Sequence, residues 1–395
     1  VAVMISKDGK TDAMGIGKFD FNEHSVFNVG SATKTFTAIL ILQEEEKGNL
    51  KLSDSIGTFL SPINNVDGSL TVEALLTHES GLDEVIGRNI RDIFYAKHDS
   101  VYNSPLLLQV EENSPEEIGK FNYCNTNYFL LGKILESVTD QSYFDLVRER
   151  ILEPLEMNET YPYVHKNLPN LAVPYHNGED VTEYLDYRFF ADVAYSAGSI
   201  ASTLSDMEIF FTELFEGTKL LQPKSLEKML NEGNEAYGLG IFKPETEEDS
   251  FYGHGGNNIG YAFRNGYDIE NKTVYLLFSN SITIPFGGIL QEDLSAVLRG
   301  EEIKQTEAVD IEKFSHFLGT YELKEAEMTF EILIEEGKIY VYVPAQDVKS
   351  ELIQENETTL KDMQVGATFT SIEGSNDELT FSQSGYTTTI YRVKE

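Results

Sequence analysis

FNVGSATKTFTAILIL, residues 27–42, is the stretch on which the reading of this chain turns. Residues 36–42 form a near-continuous apolar run, which predicts a helix driven into a protein core. Gly30 permits a tight entry into that helix. Ser31 and Lys34 lie three residues apart, nearly one helical turn, so they share a face. A serine hydroxyl is a weak nucleophile at neutral pH and needs a base within hydrogen-bond reach. A lysine kept dry, with other cations nearby, can have its pKa lowered until it takes that proton. The helix N-terminus also directs N–H groups and the positive dipole end towards Ser31. One turn can therefore supply a nucleophile, a base and part of an oxyanion hole. The plainer reading of Ser31 is an N-capping residue. The same S-x-x-K spacing recurs in SLEK at 225–228. There it follows Pro223-Lys224 and runs into charged residues, as an amphipathic surface helix begins.

Working outward, 395 residues exceed one ordinary domain and predict two or three. The 41% hydrophobic content, with 24 Phe and 21 Tyr, can build a sizeable core. No segment reaches the roughly 18 uninterrupted apolar residues of a membrane helix. Thirty basic residues stand against 66 acidic ones, for a net charge of −36. Nucleic acid is thereby excluded as an expected partner, because a polyanion would be repelled. The acidic excess is spread along the chain, as at 44–46, 111–112 and 247–249, and reads as a solvated surface. A single cysteine, Cys124, rules out an internal disulfide and reads as a small buried filler. The histidines at 24, 78, 98, 165, 176, 254 and 316 form no H-E-x-x-H or Cys/His cluster. No metal and no cofactor are therefore expected. The chain opens on VAVMIS without an initiator Met, so an N-terminal segment is expected to have been trimmed or to lie before Val1.

Strands are expected at 1–6 and 18–21, joined by a turn at Lys7-Asp8-Gly9-Lys10. Helices follow at 71–77, 128–138, 142–152 and 205–215, the last with Ser205 as N-cap. Strands return at 237–242, 262–269 and 273–279. Strands at both ends with helices between suit one antiparallel sheet covered by helices, with an all-helical lobe inserted: an α+β fold. A helix ends at 295–298. Residues 301–310 are polar and read as a linker. Beyond it, seven or so short alternating strands predict a small antiparallel barrel or sandwich over 311–395.

Two further motifs complete a candidate site. Tyr123-Cys124-Asn125 precedes the apolar helix at 128. A tyrosine near a lysine could act as a phenolate base on the serine and then protonate the leaving group. Asn125 could hold Lys34 and a substrate amide. The bland alternative for Tyr123 is a half-buried core aromatic. Tyr175-His176-Asn177 shares the Y-x-N pattern, but its flanks read as an exposed loop. His254-Gly255-Gly256 lies between two strand segments, where glycines let a substrate backbone come close. The N–H of Asn257 could then oppose that of Ser31 as the second oxyanion donor. His254 could tune Tyr123 or touch a substrate carboxylate. Arg264, nearby, is a candidate carboxylate anchor. The bland alternative for this motif is a glycine-rich turn with a surface histidine.

SATK, then YCN 92 positions on, then HGG a further 131 on, resembles the serine beta-lactamase and penicillin-binding-protein superfamily. Related motifs are S-x-x-K, S-D-N and K-T-G. Tyr in the second motif and His in the third resemble the class C beta-lactamase-like branch of carboxypeptidases, D-aminopeptidases and esterases. LLTHESGL (75–82), YCNTNYFLLGKILE (123–136), ILEPLEMNET (151–160) and YSAGSIASTLSDM (195–207) look like that family's connecting segments. The likeness covers 1–298. It implies a beta-lactamase-like domain over 1–300, with the family's usual first helix missing. It also implies a lipocalin-like barrel over 311–395. The function it implies is acyl-enzyme hydrolysis of a small peptide or amide with D-amino acids. Esters and beta-lactams remain alternatives, the latter as substrates or inhibitors. A non-catalytic penicillin sensor on the same fold is the alternative from another class. The resemblance implies an exported, cell-envelope setting, with a cytoplasmic one and homo-oligomerisation left open.

Overall fold

A computed structural model describes residues 1–7, 9–87, 94–95, 107–111, 115–176, 178–186, 188–244, 250–281, 294, 296–298, 301–302, 309–323, 328–344, 348–363, 365–383 and 386–393. The chain divides into two compact units, 1–282 and 283–395. Asp8, Asn177, Ser295 and most of the expected linker lie outside the described residues.

In the first unit, β1 (Ala2–Lys7) and β2 (Lys10–Gly15) form a hairpin whose closing pair is Lys7 with Lys10. The second arm is therefore 10–15, not 18–21. So tight a turn makes pairing resume at Lys10 and draws the polar KTDAMG into an edge strand, fully exposed. Two-residue strands β3 (Phe27–Asn28), β4 (Tyr175–His176), β5 (Glu179–Asp180) and β6 (Ala201–Ser202) pair as β3 with β6 and β4 with β5. Tyr175-His176 is thus a strand rather than an exposed loop, and His176 is buried. Strands β7 (Phe251–Tyr252), β8 (Gly256–Asn258), β9 (Tyr261–Asp268) and β10 (Thr273–Ser279) follow. They complete an antiparallel sheet of order β2-β1-β10-β9-β7, with β8 adding to β9. The expected strand at 237–242 reduces to isolated bridges, Tyr237 with Phe242 and Phe242 with Gly253, because the intervening glycines turn the chain back on itself.

Helix α1 (Thr33–Glu46) is buried from Thr33 to Glu44. Each fully buried Ile or Leu in it contributes about 1.5–3 kcal/mol. Its buried polar groups are paired: Thr35 Oγ1 donates to Gly240 O at 2.8 Å, and Gln43 Nε2 to Leu220 O at 2.9 Å. Helix α2 (Val72–Leu76) is capped by Thr71, whose hydroxyl accepts from Ala74 N. Helix α3 (Asn125–Thr139) begins three residues earlier than its apolar periodicity predicts. Helix α4 (Leu204–Glu216) packs on β1 and β10. Its cap is Thr203, not Ser205: the Thr203 side chain accepts from Asp206 N.

The second unit is a closed antiparallel barrel. Its strands are β11 (Gly319–Leu323), β12 (Met328–Glu335), β13 (Lys338–Val343), β14 (Val348–Gln354), β15 (Thr359–Asp362), β16 (Thr368–Ser371), β17 (Glu378–Gln383) and β18 (Tyr386–Arg392). The strand that sequence reading missed is β15: TLKD is too short and too polar to alternate visibly. The rings of Phe330, Phe369 and Phe381 stand 5.0–5.8 Å apart inside the core. Closure is tied by Arg392. Its guanidinium lies 4.8 Å from the Tyr321 ring centroid and donates to the Tyr321 hydroxyl, Leu318 O and, at 2.7 Å, His316 O. Gly319, at φ +138°, leaves room for it; a Cβ there would stand 2.2 Å from Arg392 Nη1. Arg392→Met is expected to destabilise the barrel by about 2–4 kcal/mol, since four acceptors, Asn376 O among them, lose a charged donor. Calorimetry of the full chain would show this as a lowered midpoint for one transition, and an unchanged melt would refute it.

Candidate active site

The chain enters α1 through a tight turn, Gly30–Ala32, that carries Ser31. Asn28 fixes this turn. Its Oδ1 accepts from Gly30 N at 3.0 Å, and its Nδ2 donates to the carbonyls of Gly198, Ser199 and Ile200. Gly30 sits at φ +54°, a left-handed conformation that only glycine adopts freely. Gly256 of β8 lies against the same turn: a Cβ there would meet Val29 O at 2.1 Å and Ser31 N at 2.5 Å. The first and third motifs therefore touch backbone to backbone. A Cβ on Gly30 would stand 3.1 Å from Asn257 N, so the Asn257 amide borders the Ser31 turn.

Lys34 is fully buried. Its Nζ reaches Ser31 Oγ at 3.1 Å, Asn125 Oδ1 at 2.7 Å and Ala197 O at 3.0 Å. Burial lowers its pKa to about 7, against the opposing pull of Glu84 and Cys124. A neutral amine has two N–H groups and one lone pair. The two carbonyl oxygens can only accept, so they take both N–H groups and leave the lone pair facing the Ser31 hydroxyl.

Tyr123 precedes α3. Part of the residue is exposed, but its hydroxyl oxygen is buried and has no hydrogen-bond partner among the described residues. The Ser31 hydroxyl is near enough to pull the phenol's pKa down, yet burial outweighs it and holds the pKa well above that of free tyrosine. Burial thus favours Tyr123 as a neutral phenol over the phenolate base read from the sequence. Lys34 Nζ lies 4.9 Å from its ring centroid. Exposed Phe242 stacks on Tyr123 at 6.3 Å, and exposed Phe121 lies 5.9 Å from Tyr237. These two rings form an apolar border that no sequence motif announced.

His254 is buried, not a surface histidine. Its Nδ1 is 2.8 Å from Gly255 O, which can only accept, so Nδ1 carries the proton. Nε2 then accepts from Tyr237 OH at 2.9 Å. Burial, Lys34 and Arg264 lower its pKa to about 3, so the ring is neutral. Both nitrogens are committed internally, which leaves neither for a substrate carboxylate. Asn265 pins the backbone at this point: Oδ1 accepts from His254 N at 3.2 Å and Nδ2 donates to His254 O at 2.9 Å. Arg264 turns its Nη1 to Asn257 Oδ1 at 3.0 Å and Phe263 O at 2.8 Å. In this geometry it braces β8 against β9.

Ser31, Lys34, Asn125 and the Gly256–Asn257 segment therefore converge, with Tyr123 and His254 alongside. Sequence reading missed Asn28, Ala197, Tyr237 and Asn265. YSAGSI contains Ala197, but nothing local marks its carbonyl as a partner for Lys34. Cys124 is buried and its thiol pushed up to about 12, so it is no nucleophile. Among the described residues no group of three His, Cys, Asp or Glu side chains is set to hold a metal, and no helix is long and apolar enough to cross a membrane.

The sequence profile of the Beta-lactamase family matches residues 1–288. PbpX of Bacillus subtilis (strain 168), named as a penicillin-binding protein, is 30% identical over 266 residues. That alignment covers 66% of this chain and 63% of the relative. The teichoic acid D-alanine hydrolase of Staphylococcus aureus is 27% identical over 239 residues, 58% of each chain. This chain thus spans less than two thirds of either relative. Among solved structures, the octameric penicillin-binding protein homologue from Pyrococcus abyssi superposes with a TM-score of 0.65 at 23% identity. It covers 98% of this chain and 95% of its own.

Proposed function

This chain belongs to the beta-lactamase family, and on that premise we propose that it is a serine hydrolase working through an acyl-enzyme. The observation that carries the reading is the arrangement of Lys34, whose two N–H groups are bound by carbonyl oxygens while its third direction meets Ser31 Oγ at 3.1 Å. Ser31 Oγ attacks the substrate carbonyl carbon and its proton passes to Lys34 Nζ. The N–H groups of Ser31 and Asn257 hold the oxyanion; losing one such donor typically costs about 100- to 1,000-fold in rate. As the tetrahedral intermediate collapses, the Tyr123 phenol gives its proton to the leaving group, and the Lys34 ammonium restores it. Water then attacks the acyl-enzyme, Lys34 accepts its proton, and the Ser31 hydroxyl re-forms. Asn125 orients Lys34 and the substrate amide, while Gly256 lets β8 close on the Ser31 turn beside Asn257, and Gly255 lies against Arg264 and Phe263 rather than opening space for a substrate.

The substrate class we favour is a peptide or amide carrying a D-amino acid, with an ester or a beta-lactam next. The D-alanine hydrolase relative supports the D-aminoacyl part. Such a substrate would set the reaction in the cell envelope. The domain division at 301–310 and the lipocalin-like character of the barrel belong to the same proposal. The test is a panel of a fluorescent penicillin, a fluorophosphonate and a D-amino-acid nitroanilide on wild type and Ser31→Ala. Turnover of the anilide that vanishes in Ser31→Ala is expected. Stable single acylation without turnover would favour the sensor reading, and no labelling at Ser31 would sink both.

A further inference from the structure

We propose that His78 and Glu84 are positioning residues: their side chains take the consecutive backbone N–H groups of Cys124 and Asn125, and so set Tyr123 and Asn125 against Lys34. The proposal rests on the reading of Lys34 and Tyr123 as the proton-handling pair.

Residues 121–124, just before α3, have no regular structure of their own. They are laid along the segment 78–85. Gly119 N donates to Glu79 O and Asn122 N to His78 O, both at 2.8 Å. Cys124 N donates to His78 Nδ1 at 3.1 Å, and Asn125 N to Glu84 Oε2. Thr126 Oγ1 donates to Asp83 O at 2.8 Å. Helix α3 has no side-chain cap of its own and no acidic residue in its first turn. Glu84 supplies from another segment both the missing acceptor and the negative charge that a helix N-terminus favours.

His78 is fully buried and sits at φ +59°, a conformation costly for most side chains. Asn127 Nδ2 lies 3.3 Å from the same Nδ1. Because Nδ1 receives N–H donors it is unprotonated, so the ring proton sits on Nε2. Nε2 is buried with no partner among the described residues. The His78 ring centroid lies 4.3 Å from that of Tyr123, 5.0 Å from that of Tyr237 and 5.1 Å from that of Tyr128. An orphaned N–H of this kind costs about 1–3 kcal/mol. What the ring offers in return is an acceptor under Cys124 and a flat support for Tyr123. Burial and the charge of Lys34 keep it neutral; an imidazolium would put an N–H where the acceptor is required.

Glu84 acts through charge as well as geometry. Lys34 is surrounded by the carboxylate of Glu84, the thiol of Cys124, the rings of Tyr123 and Tyr128, and the neutral imidazoles of His78 and His254. Of these, Glu84 holds the proton on Lys34 most strongly. Removing its charge lowers the pH at which Lys34 becomes a free base, and the acid limb of the rate profile moves down in pH.

Four proteins test this: wild type, His78→Leu, His78→Asn and Glu84→Gln, each acylated at Ser31 by an activated nitrophenyl ester across the pH range around neutrality. Asn presents Oδ1 near the place of Nδ1 and tolerates the left-handed backbone. His78→Asn is expected to acylate within about tenfold of wild type, and His78→Leu about 100-fold more slowly, the typical cost of a misplaced catalytic group. Glu84→Gln keeps the acceptor, so its plateau rate holds within about tenfold while its acid limb shifts to lower pH. Thermal melting of each variant separates slow acylation from lost fold; if His78→Leu does not fold, His78→Asn and Glu84→Gln decide. Wild-type rates in His78→Leu, or an unmoved acid limb in Glu84→Gln, overturn the proposal. An unacylated wild type removes the Ser31–Lys34 reading, and this proposal with it.

Discussion

Lys34→Met is expected to slow acylation of Ser31 by about 10,000- to 1,000,000-fold, the scale of loss when one member of a nucleophile–base unit is removed. Met fills a similar volume but can neither donate to Asn125 Oδ1 and Ala197 O nor accept from Ser31. Those two oxygens then lose their donor, at about 1–3 kcal/mol each if buried, so a lower melting temperature should accompany the lost rate. The wild type supplies the matching pH signature. Lys34 works only as the free amine, so the rate should climb through about pH 7 and level off above it. Stability follows the same sign. The folded pKa lies below the unfolded value of 10.5, so the unfolded chain binds the extra proton. The cost of burying Lys34 is full below about pH 7 and fades as pH rises towards 10.5. Stopped-flow labelling at a series of pH values measures the first effect, and denaturant unfolding over the same pH range measures the second. A Lys34→Met protein within tenfold of wild type would remove the amine from the mechanism.

Tyr123→Phe should separate substrates by leaving group. Loss of a general acid costs about 100- to 10,000-fold where the leaving group must be protonated, as an anilide or amide nitrogen must. A nitrophenyl ester expels a stable phenolate without help, so its acylation should fall far less. The substitution leaves the aromatic framework in place, because Phe can pack on the tilted His78 ring and stack on Phe242 as Tyr123 does. Turnover of the two substrates by one variant preparation isolates the hydroxyl's role. Equal losses on both, or none on either, would show that Tyr123 donates no proton to the leaving group. Its buried hydroxyl would then need another explanation.

Much of this molecule is written in local pattern. The apolar run after Lys34 made α1 a core helix, and period-2 alternation beyond residue 310 announced an antiparallel β unit, which closes into a barrel through pairing of β11 with β18. Three motifs in order sufficed to recognise the family. Local pattern failed where one element borrows from another. Edge strand β2 carries almost no hydrophobic signal, since its position follows from the Lys7–Lys10 turn. The cap on α4 moved from Ser205 to Thr203, because buried Leu204 already belongs to the helix and makes Ser205 its second residue.

The residue types at the candidate site, and the Ser31–Lys34 spacing, were determined by sequence alone, because one helical turn sets that distance whatever surrounds it. Which protons those residues carry was decided only by the tertiary structure. Lys34 drops towards neutrality, Tyr123 keeps its proton and His254 loses its charge because burial and neighbours from distant segments alter solvation. The acceptors that define Lys34's lone pair, Ala197 O and Asn125 Oδ1, come from 163 and 91 residues away. Solvation and hydrogen bonding act through space, and no order of residues along the chain records them until the chain has folded.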